Sequence, residues 1–340
     1  MMRRDIASTL IFSILILILM IVSPMIIIKS MPAKANSDED LSVRVDEDDN
    51  KIVLAGNEVI KVNITKENRI EEVPIEEYVK SVVSGEMPVS FNNEALKAQA
   101  VAARTYIASK RLRPCDIANG GDVCDTTHCQ VYINKDIRLG SWEGKANEYW
   151  EKISKAVEDT KGMVLSYNDE LVLYPQFFST SSGRTENAQD VFSNSVPYLV
   201  STESTGEEIA PKFQAEFPFN INEFVNKINE KYPEASITAE NLQDNIEIIS
   251  RSEAGSVKEI RVGEINMRGL DFRLALGLTS SNFEYSIEGE EILFKCKGYG
   301  HGVGMSQWGA NVMGKNGSDY KEILTHYYTG VEIKNLDFKE

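Results

Sequence analysis

The sequence predicts a mixed α+β protein, in which a membrane-anchor helix precedes a core domain that a smaller α+β region interrupts. Three observations lead to this class. The chain opens with an uncharged apolar run, amphipathic helices then mix with short β-rich runs, and the composition changes in the middle of the chain and later changes back. The 340 residues carry a net charge of −16 and show no basic stripe, which argues against a nucleic acid as partner.

The anchor is expected at residues 6–28, which carry no charge and are rich in Ile and Leu. Two arginines within residues 1–5 favour a cytoplasmic N-terminus. A cleaved signal peptide with an A-x-A-like site in "AKANS" is the alternative, but the apolar run is longer than the apolar region of such peptides. Residues 29–50 are interpreted as an acidic linker. We therefore expect a single-pass protein of the cell membrane with its main part outside the cytoplasm.

Beyond the linker, residues 51–201 form the predicted first part of the core, 202–295 the inserted region, and 296–340 the second part of the core. In the first part we expect strands at "KIVLAG" and "EVIKVNIT", then a helix that Pro74 opens and "GEMP" ends. A second, buried helix follows in "EALKAQAVAARTYIASKRL", capped by one of the two asparagines before it. The later expectations are a short strand, "QVYIN", a third helix, "EYWEKISKAVEDTKG", and paired strands, "MVLSY" and "ELVLYPQFFST".

Glu86 stands out because it occupies an apolar position of the first helix. The buried stripe of that helix consists of Ile75, Tyr78, Val79, Val82 and Val83. Glu86 takes the next position, where burial and the partial negative charge of the helix C-terminus would both raise the pKa of its carboxyl group. A carboxylic acid that stays protonated near neutral pH can act as a general acid and afterwards as a base. The alternative, in which the helix frays and Glu86 points into water, fits the pattern equally well.

Three further segments contain candidate site residues. Arg104 lies among Ala and Val on the second helix, where it either forms a salt bridge with a carboxylate or contacts a ligand. The hydroxyl-rich segment "FFSTSSGRTENAQDVF" either lines a site or forms a turn. In "GYGHGVGMSQWGA" the alternating glycines permit close approach of another chain segment or a ligand, and His301 lies among them.

A short loop gathers four residues of metal-ligand type, which are Cys115, Cys124, His128 and Cys129. Three thiolates and one imidazole would make a closed structural zinc site, although the adjacent His128 and Cys129 need a bent backbone to reach one ion. A disulfide is the alternative outside the cytoplasm. We favour metal because four such residues exceed what one disulfide needs. Cys296, in "EILFKCKG", is expected to be a lone buried strand residue.

Several motifs resemble the stage II sporulation protein D family. They run in family order from about residue 74 to 310 and comprise "SGEMP", "NNEALKAQAVAARTY", "HCQVY", "STSSGRTENAQDVF", "DFRLALGLTSSNF" and "GHGVGMSQWGA". The resemblance implies a lytic transglycosylase of endospore formers, which cuts the bond between N-acetylmuramic acid and N-acetylglucosamine in peptide-stripped glycan and leaves a 1,6-anhydro end. It also implies action at the septum and the engulfing membrane of the mother cell. The implied partners are glycan strands, the stage II sporulation protein P amidase and the membrane protein called stage II sporulation protein M.

The resemblance also implies roles for individual residues. Glu86 corresponds to the catalytic acid of the family, and one acid suffices because the substrate's own C6 hydroxyl attacks. The expected substrate-binding residues, from the matching motifs and the two loop segments, are Arg104, Ser181, Tyr198, His301 and Gln307. Clostridial relatives bind zinc at the place of "CDTTHCQ", which implies a structural zinc ion that the chemical step does not need. Cys115 stands where a second His would be expected.

Two other functions stay open at this point. Relatives of the family are described as enhancers of amidases, so the chain could be a non-catalytic wall-binding module that activates an amidase. A zinc hydrolase is the third possibility, but four protein ligands would leave no open position on the ion.

Overall fold

The fold is described for residues 44–46 and 51–339 of a computed structural model. The predicted anchor at residues 6–28 lies outside these residues, as does most of the predicted linker at 29–50. In the described part of the chain, no helix has the length and hydropathy that crossing a bilayer requires.

Helices and strands are intermixed along the described chain, which confirms the mixed α+β class. The helices are α1 (Ile75–Glu86), α2 (Asn93–Leu112), α3 (Lys135–Ser141), α4 (Ala146–Glu158), α5 (Ala188–Phe192), α6 (Ile221–Lys231), α7 (Gly269–Leu276), α8 (Gln307–Lys315) and α9 (Tyr320–Tyr327). The strands are β1 (Arg44–Asp46), β2 (Lys51–Ala55), β3 (Val59–Ile64), β4 (Arg69–Pro74), β5 (Val123–Cys124), β6 (Met163–Tyr167), β7 (Glu170–Leu171), β8 (Phe177–Phe178), β9 (Gln214–Asn220), β10 (Ile246–Arg251), β11 (Val257–Val262), β12 (Ile265–Arg268), β13 (Phe283–Glu288), β14 (Glu291–Lys297), β15 (Met305–Ser306) and β16 (Glu332–Lys339).

The two ends of the described chain meet in one five-stranded sheet with the order β1-β2-β16-β6-β7. The last strand, β16, pairs parallel with β2 and antiparallel with β6. A second sheet, β4-β3-β5, leads directly into α1. The sheets β10-β11-β12 and β13-β14-β9 are formed by the middle of the chain, and the short parallel pair β15-β8 places the Gly-rich segment beside residues 177–178.

Two large clusters of buried apolar side chains support these elements. The first surrounds α2, which packs against α1, α4, α8, α9 and β6. Because neighbouring elements cover α2 on nearly all sides, the helix is apolar nearly all round. Its many alanines let these elements approach closely. The second cluster is formed by side chains from Ile221 to Cys296. Cys296 is a buried residue of β14, as expected, whereas the boundaries of the inserted region at 202–295 stay a prediction.

The three helices placed by the sequence are confirmed as α1, α2 and α4, and the predictions fail at two strands. The segment "QVYIN", residues 130–134, is not a strand. The backbone N–H of Val131 donates to the carboxyl group of Glu86 instead of to a neighbouring strand. The segment "ELVLYPQFFST" pairs with β6 only at β7, and its second half, β8, pairs with β15. The helices α3, α5, α8 and α9 have no counterpart among the expectations.

Candidate active site and metal centre

The end of α1 places Glu86 in a partly enclosed position. The helix stops because Met87 adopts an extended conformation ahead of Pro88, whose ring disfavours a helical residue before it. The predicted apolar stripe of this helix is buried throughout. Glu86 itself is half-buried, and its Oε1 accepts a hydrogen bond of 2.8 Å from the backbone N–H of Val131. The side chain therefore does not extend freely into bulk water.

The surroundings of Glu86 favour its protonated form. Burial raises the pKa of the Glu86 carboxyl above its usual value, while hydrogen bonds from the Val131 N–H and the Gln307 side chain partly offset that rise. Gln307 is the first residue of α8, so the end of one helix and the start of another converge on this carboxyl group. The net direction makes a proton available at higher pH than a solvated glutamic acid would.

Glu86 lines a cavity of about 330 Å³, a volume within the range of small-ligand sites. The other residues that line it are Tyr106, Thr127, His128, Cys129, Val131, Pro175, Gln176, Phe177, Phe192 and His301. A cavity of about 390 Å³ lies on strands β9, β13 and β14, but none of the predicted site residues lines it. We therefore take the Glu86 cavity as the candidate active site.

His301 reaches the same cavity as a neutral ring. Its Nδ1 accepts a hydrogen bond of 3.1 Å from the backbone N–H of Val303, so the ring proton is on Nε2. Burial and the positive charge of Arg273 lower the pKa of His301 to about 4. The ring lies between Phe178 and Phe192, with centroid distances of 5.7 and 5.4 Å. At neutral pH it thus contributes an uncharged surface to the cavity.

The Gly-rich segment reaches the site because it runs directly against residues 176–186. A Cβ atom at Gly304 would lie 2.0 Å from the carbonyl oxygen of Gln176, and one at Gly300 would lie 2.8 Å from Cβ of Phe178. Gly304 also has a φ of +79°, a conformation that other residues rarely adopt. The expected close approach is therefore an approach to another segment of the same chain.

Arg104 lies in the first core, with 0% of its side chain exposed. Its Nε and Nη2 donate to the two carboxylate oxygens of Glu76 at 2.8 and 2.6 Å, and its Nη1 donates to the carbonyl oxygen of Met163 at 3.1 Å. This is the geometry of a structural salt bridge, which was one of the two interpretations of Arg104. Because the guanidinium group has no access to the cavity, we do not retain Arg104 among the candidate substrate contacts.

Two further predicted substrate contacts, Ser181 and Tyr198, do not line the Glu86 cavity. Both are buried. The Ser181 N–H donates to Oε2 of Glu207 at 2.8 Å, and its hydroxyl accepts from the N–H of Gly183 at 3.2 Å. The Tyr198 hydroxyl accepts from the N–H of Tyr174 at 3.2 Å. In this structure the two side chains support loops, whereas His301 and Gln307 are the predicted contacts that lie beside Glu86.

Sequence reasoning missed Glu207, a buried acid that supports the same site. Its carboxylate oxygens accept hydrogen bonds from the hydroxyls of Ser204 and Ser306 at 2.5 and 2.6 Å, and burial raises the pKa of Glu207 to about 7. Ser306 is the N-cap of α8, so Glu207 holds the helix that presents Gln307. In the sequence nothing distinguishes Glu207 from its exposed neighbour Glu208.

The four predicted metal ligands come together as a Cys3His cluster. The candidate ligand atoms of Cys115, Cys124, His128 and Cys129 all lie within 4.8 Å of one another, and none of the four thiols in the chain is in a disulfide. The distances from Nδ1 of His128 to the three sulfur atoms are 3.3, 3.9 and 3.8 Å. Ligands about 2.0–2.3 Å from a tetrahedral zinc ion are separated by roughly 3.5–3.8 Å, so these residues fit such an ion.

The chain is similar to known sporulation proteins. A family model described as "Stage II sporulation protein" matches residues 63–167. The chain is 38% identical over 284 residues to stage II sporulation protein D of Bacillus amyloliquefaciens, covering 82% of this chain and 79% of that protein. It is 37% identical over 280 residues to the protein of the same name from Bacillus subtilis (strain 168), with the same coverage of 82% and 79%. It is 29% identical over 303 residues to the amidase enhancer of that strain, covering 75% of this chain and 40% of the enhancer.

These similarities place the chain among sporulation proteins. The region matched by the family model contains α1, α2 and the whole Cys3His loop. Given its identity to the two Bacillus proteins over four fifths of its length, the chain belongs to the stage II sporulation protein D family. The resemblance stated from the motifs is thereby confirmed.

Proposed function

We propose that the protein is a peptidoglycan lytic transglycosylase that cleaves the bond between N-acetylmuramic acid and N-acetylglucosamine in peptide-stripped glycan. The proposal rests on the environment of the Glu86 carboxyl group. Its carboxyl group is half-buried, has a raised pKa and lines a cavity of about 330 Å³. A single acid of this kind supplies what the reaction needs.

In the proposed reaction Glu86 first donates its proton to the glycosidic oxygen, and the bond from that oxygen to C1 of the muramic acid breaks. The C6 hydroxyl of the same sugar attacks C1, and the Glu86 carboxylate takes up the hydroxyl proton. One product ends in a 1,6-anhydro ring and the other has a free 4-hydroxyl group, so no water is consumed and Glu86 returns to its starting state. Most glycoside hydrolases need a second carboxylate, which acts as the nucleophile or activates a water molecule. The reaction proposed here needs no second carboxylate.

The neighbours of Glu86 orient the acid for both steps. Because Oε1 accepts the Val131 N–H at 2.8 Å, the proton to be donated is on the other oxygen. The same N–H and the Gln307 amide stabilise the carboxylate after the proton has left. These donors are held by the backbone and by a helix start, so little reorganisation accompanies the proton transfer.

We further propose that the Cys3His cluster holds Zn²⁺ in a structural role. Three thiolates and one imidazole complete a tetrahedral site, so we assign no step of the reaction to the ion. When bound, it would crosslink a loop whose residues Thr127, His128 and Cys129 form one wall of the cavity.

The cellular setting is also a proposal. The apolar run at residues 6–28 would anchor the protein in the cell membrane, with the catalytic part in the space between mother cell and forespore. There it would act in septal thinning and engulfment together with the stage II sporulation protein P amidase and the stage II sporulation protein M membrane protein. Of this setting, the names of its relatives support the role in sporulation.

Turnover of purified glycan tests the proposal. The full chain, kept in detergent because of its apolar N-terminal segment, is incubated with peptide-free glycan, and the products are analysed by mass spectrometry for anhydro ends. We expect Glu86→Gln to abolish cleavage at an unchanged Tm, while Glu158→Gln, which alters an exposed acid at the end of α4, keeps full turnover. Ordinary reducing ends would show a hydrolase instead, and intact glycan would overturn the assignment of an enzyme.

A second function has support from one comparison, since one of the relatives is named an amidase enhancer. Under this alternative the chain binds the wall and activates an amidase without cleaving glycan. Glu86→Gln separates the two, because a pure activator would stimulate the amidase equally well with this substitution.

A further inference from the structure

Phe192 is an aromatic residue that the fold leaves uncovered at the edge of the candidate active site. It ends the short helix α5, 36% of its surface is exposed, and it lines the same cavity as Glu86. One side of its ring faces His301, at a centroid distance of 5.4 Å. Ligand cavities are lined mainly by apolar and aromatic side chains, so a ring that lines this cavity and is partly exposed can contact a ligand.

The helix that carries Phe192 is held in place by contacts of its other residues. Asp190 forms an ion pair of 2.6 Å with Lys258, and its carboxylate also accepts from the side chain of Asn187 at 3.2 Å. The Asn187 side chain in turn accepts from the backbone N–H of Ser201 at 2.9 Å. A contact surface held in this way loses little entropy when a ligand binds.

The charges around the cavity indicate which part of the glycan can lie on this ring. None of the described residues that line the cavity is Lys or Arg, and the chain as a whole carries a charge of −16. His301 offers no positive charge, because its Nδ1 accepts a hydrogen bond and is therefore unprotonated. Beside the Phe192 ring the lactyl carboxylate of a muramic acid would find no Lys or Arg among the lining residues, whereas an uncharged sugar needs no such partner.

We propose that Phe192 is the stacking surface for an uncharged N-acetylglucosamine unit of the glycan next to the bond that Glu86 cleaves. The inference rests on the proposed function and specifies how its substrate is selected. A β-linked pyranose of gluco configuration has equatorial substituents, so its axial C–H groups form flat apolar faces. Such a face matches the exposed side of an aromatic ring, while an axial hydroxyl group would interrupt it.

The test is the steady-state kinetics of Phe192 variants of the full chain on peptide-free glycan. Loss of the apolar contact in Phe192→Ala should raise KM about tenfold with kcat nearly unchanged. Phe192→Trp should stay within about threefold of the parent KM because it keeps a flat face, whereas Phe192→Leu should resemble the alanine variant. Leu274→Ala serves as the matched control, since this residue of α7 is also apolar and 60% exposed but lies outside the cavity lining.

Binding measurements separate this inference from the proposed function. Calorimetry of Glu86→Gln with oligomers of N-acetylglucosamine should show binding that is lost with Phe192→Ala and is insensitive to salt. Oligomers of mannose, which carry an axial hydroxyl group, should bind at least about tenfold more weakly. If the parent chain cleaves no glycan but binding still depends on Phe192, the proposed enzymatic function is wrong and the proposed stacking surface stands. Cleavage with an unaltered KM in Phe192→Ala, or parent-like kinetics in Phe192→Leu, would overturn the stacking surface and keep the enzyme.

Discussion

Replacing Arg104 by methionine tests whether this residue is structural or contacts the substrate. In the structure its guanidinium group is fully buried and forms two hydrogen bonds with Glu76, at 2.8 and 2.6 Å. Methionine keeps most of the volume of the arginine side chain but removes the charge. Glu76, with 16% of its side chain exposed, would then remain largely buried without its cation.

The expected loss follows from that unpaired charge. Breaking a buried ion pair from one side costs about 3–5 kcal/mol, whereas replacing both partners by apolar residues is often neutral. A loss of about 3 kcal/mol lowers Tm by roughly 4–5 °C in a chain of this size, because the unfolding entropy is about 2.1 cal/mol/K per residue. We therefore expect Arg104→Met to be strongly destabilised and the double variant Arg104→Met, Glu76→Met to regain most of the lost stability.

The assay combines thermal unfolding with glycan turnover for the parent, both single variants and the double variant. If Arg104 is structural, turnover at a temperature where all variants are folded should recover together with Tm in the double variant. A double variant that is as stable as the parent but inactive would refute the reasoning, because it would show that Arg104 acts on the substrate. An unchanged Tm in Arg104→Met would refute the buried salt bridge itself.

Three further outcomes are expected. Removal of metal by a chelator should lower Tm, since a ligand present at 1,000 times its Kd stabilises the folded state by about 4 kcal/mol. The Cys124→Ser variant should show no such Tm shift, whereas the control variant Cys296→Ser should show the same shift as the parent. A parent protein whose Tm does not respond to the chelator would contradict the metal centre. Because burial raises the pKa of Glu207 from 4.5 to about 7, the folded state binds this proton more tightly than the unfolded state, so the unfolding free energy should fall by about 3 kcal/mol as pH rises through this window. Urea titrations at several pH values should show this fall of the unfolding free energy with pH in the parent and in Glu208→Gln, and a smaller fall in Glu207→Gln. An equal fall in all three proteins would show that folding does not raise the pKa of Glu207. Turnover should fall as pH rises through the raised pKa of Glu86, because the acid must be protonated to start the reaction; kcat measured against pH checks this, and a rate that keeps rising into the alkaline range would contradict it.

The sequence correctly indicated the features that depend on local periodicity and spacing. The stripe from Ile75 to Val83 predicted the buried face of α1, because an α-helix places residues three and four apart on one face. It left the position of Glu86 open between that face and a frayed helix end. The Cys3His cluster was predictable since four ligand-type residues of one short loop cannot lie far apart. The motifs of "SGEMP" and the following segments sufficed for the family.

Other features were decided by contacts between segments that are distant in the chain. The strand expected at "QVYIN" is absent because Val131 lies 45 positions from Glu86 in sequence but donates to its carboxyl group in space. Arg104 was left open between two roles until the fold supplied Glu76 as its partner. Glu207 became a buried acid only through Ser306, 99 positions away.

Taken by itself, the sequence determined which residues share a helix face or a loop, since neighbours along the chain fix those relations through backbone geometry. Only the tertiary structure decided which of them meet at the cavity. Gln307 lies beside Glu86, and Phe192 lies beside His301, although more than 100 positions separate the members of each pair in the sequence. Burial and desolvation of a carboxyl group are properties of the tertiary packing, so no local pattern can specify them.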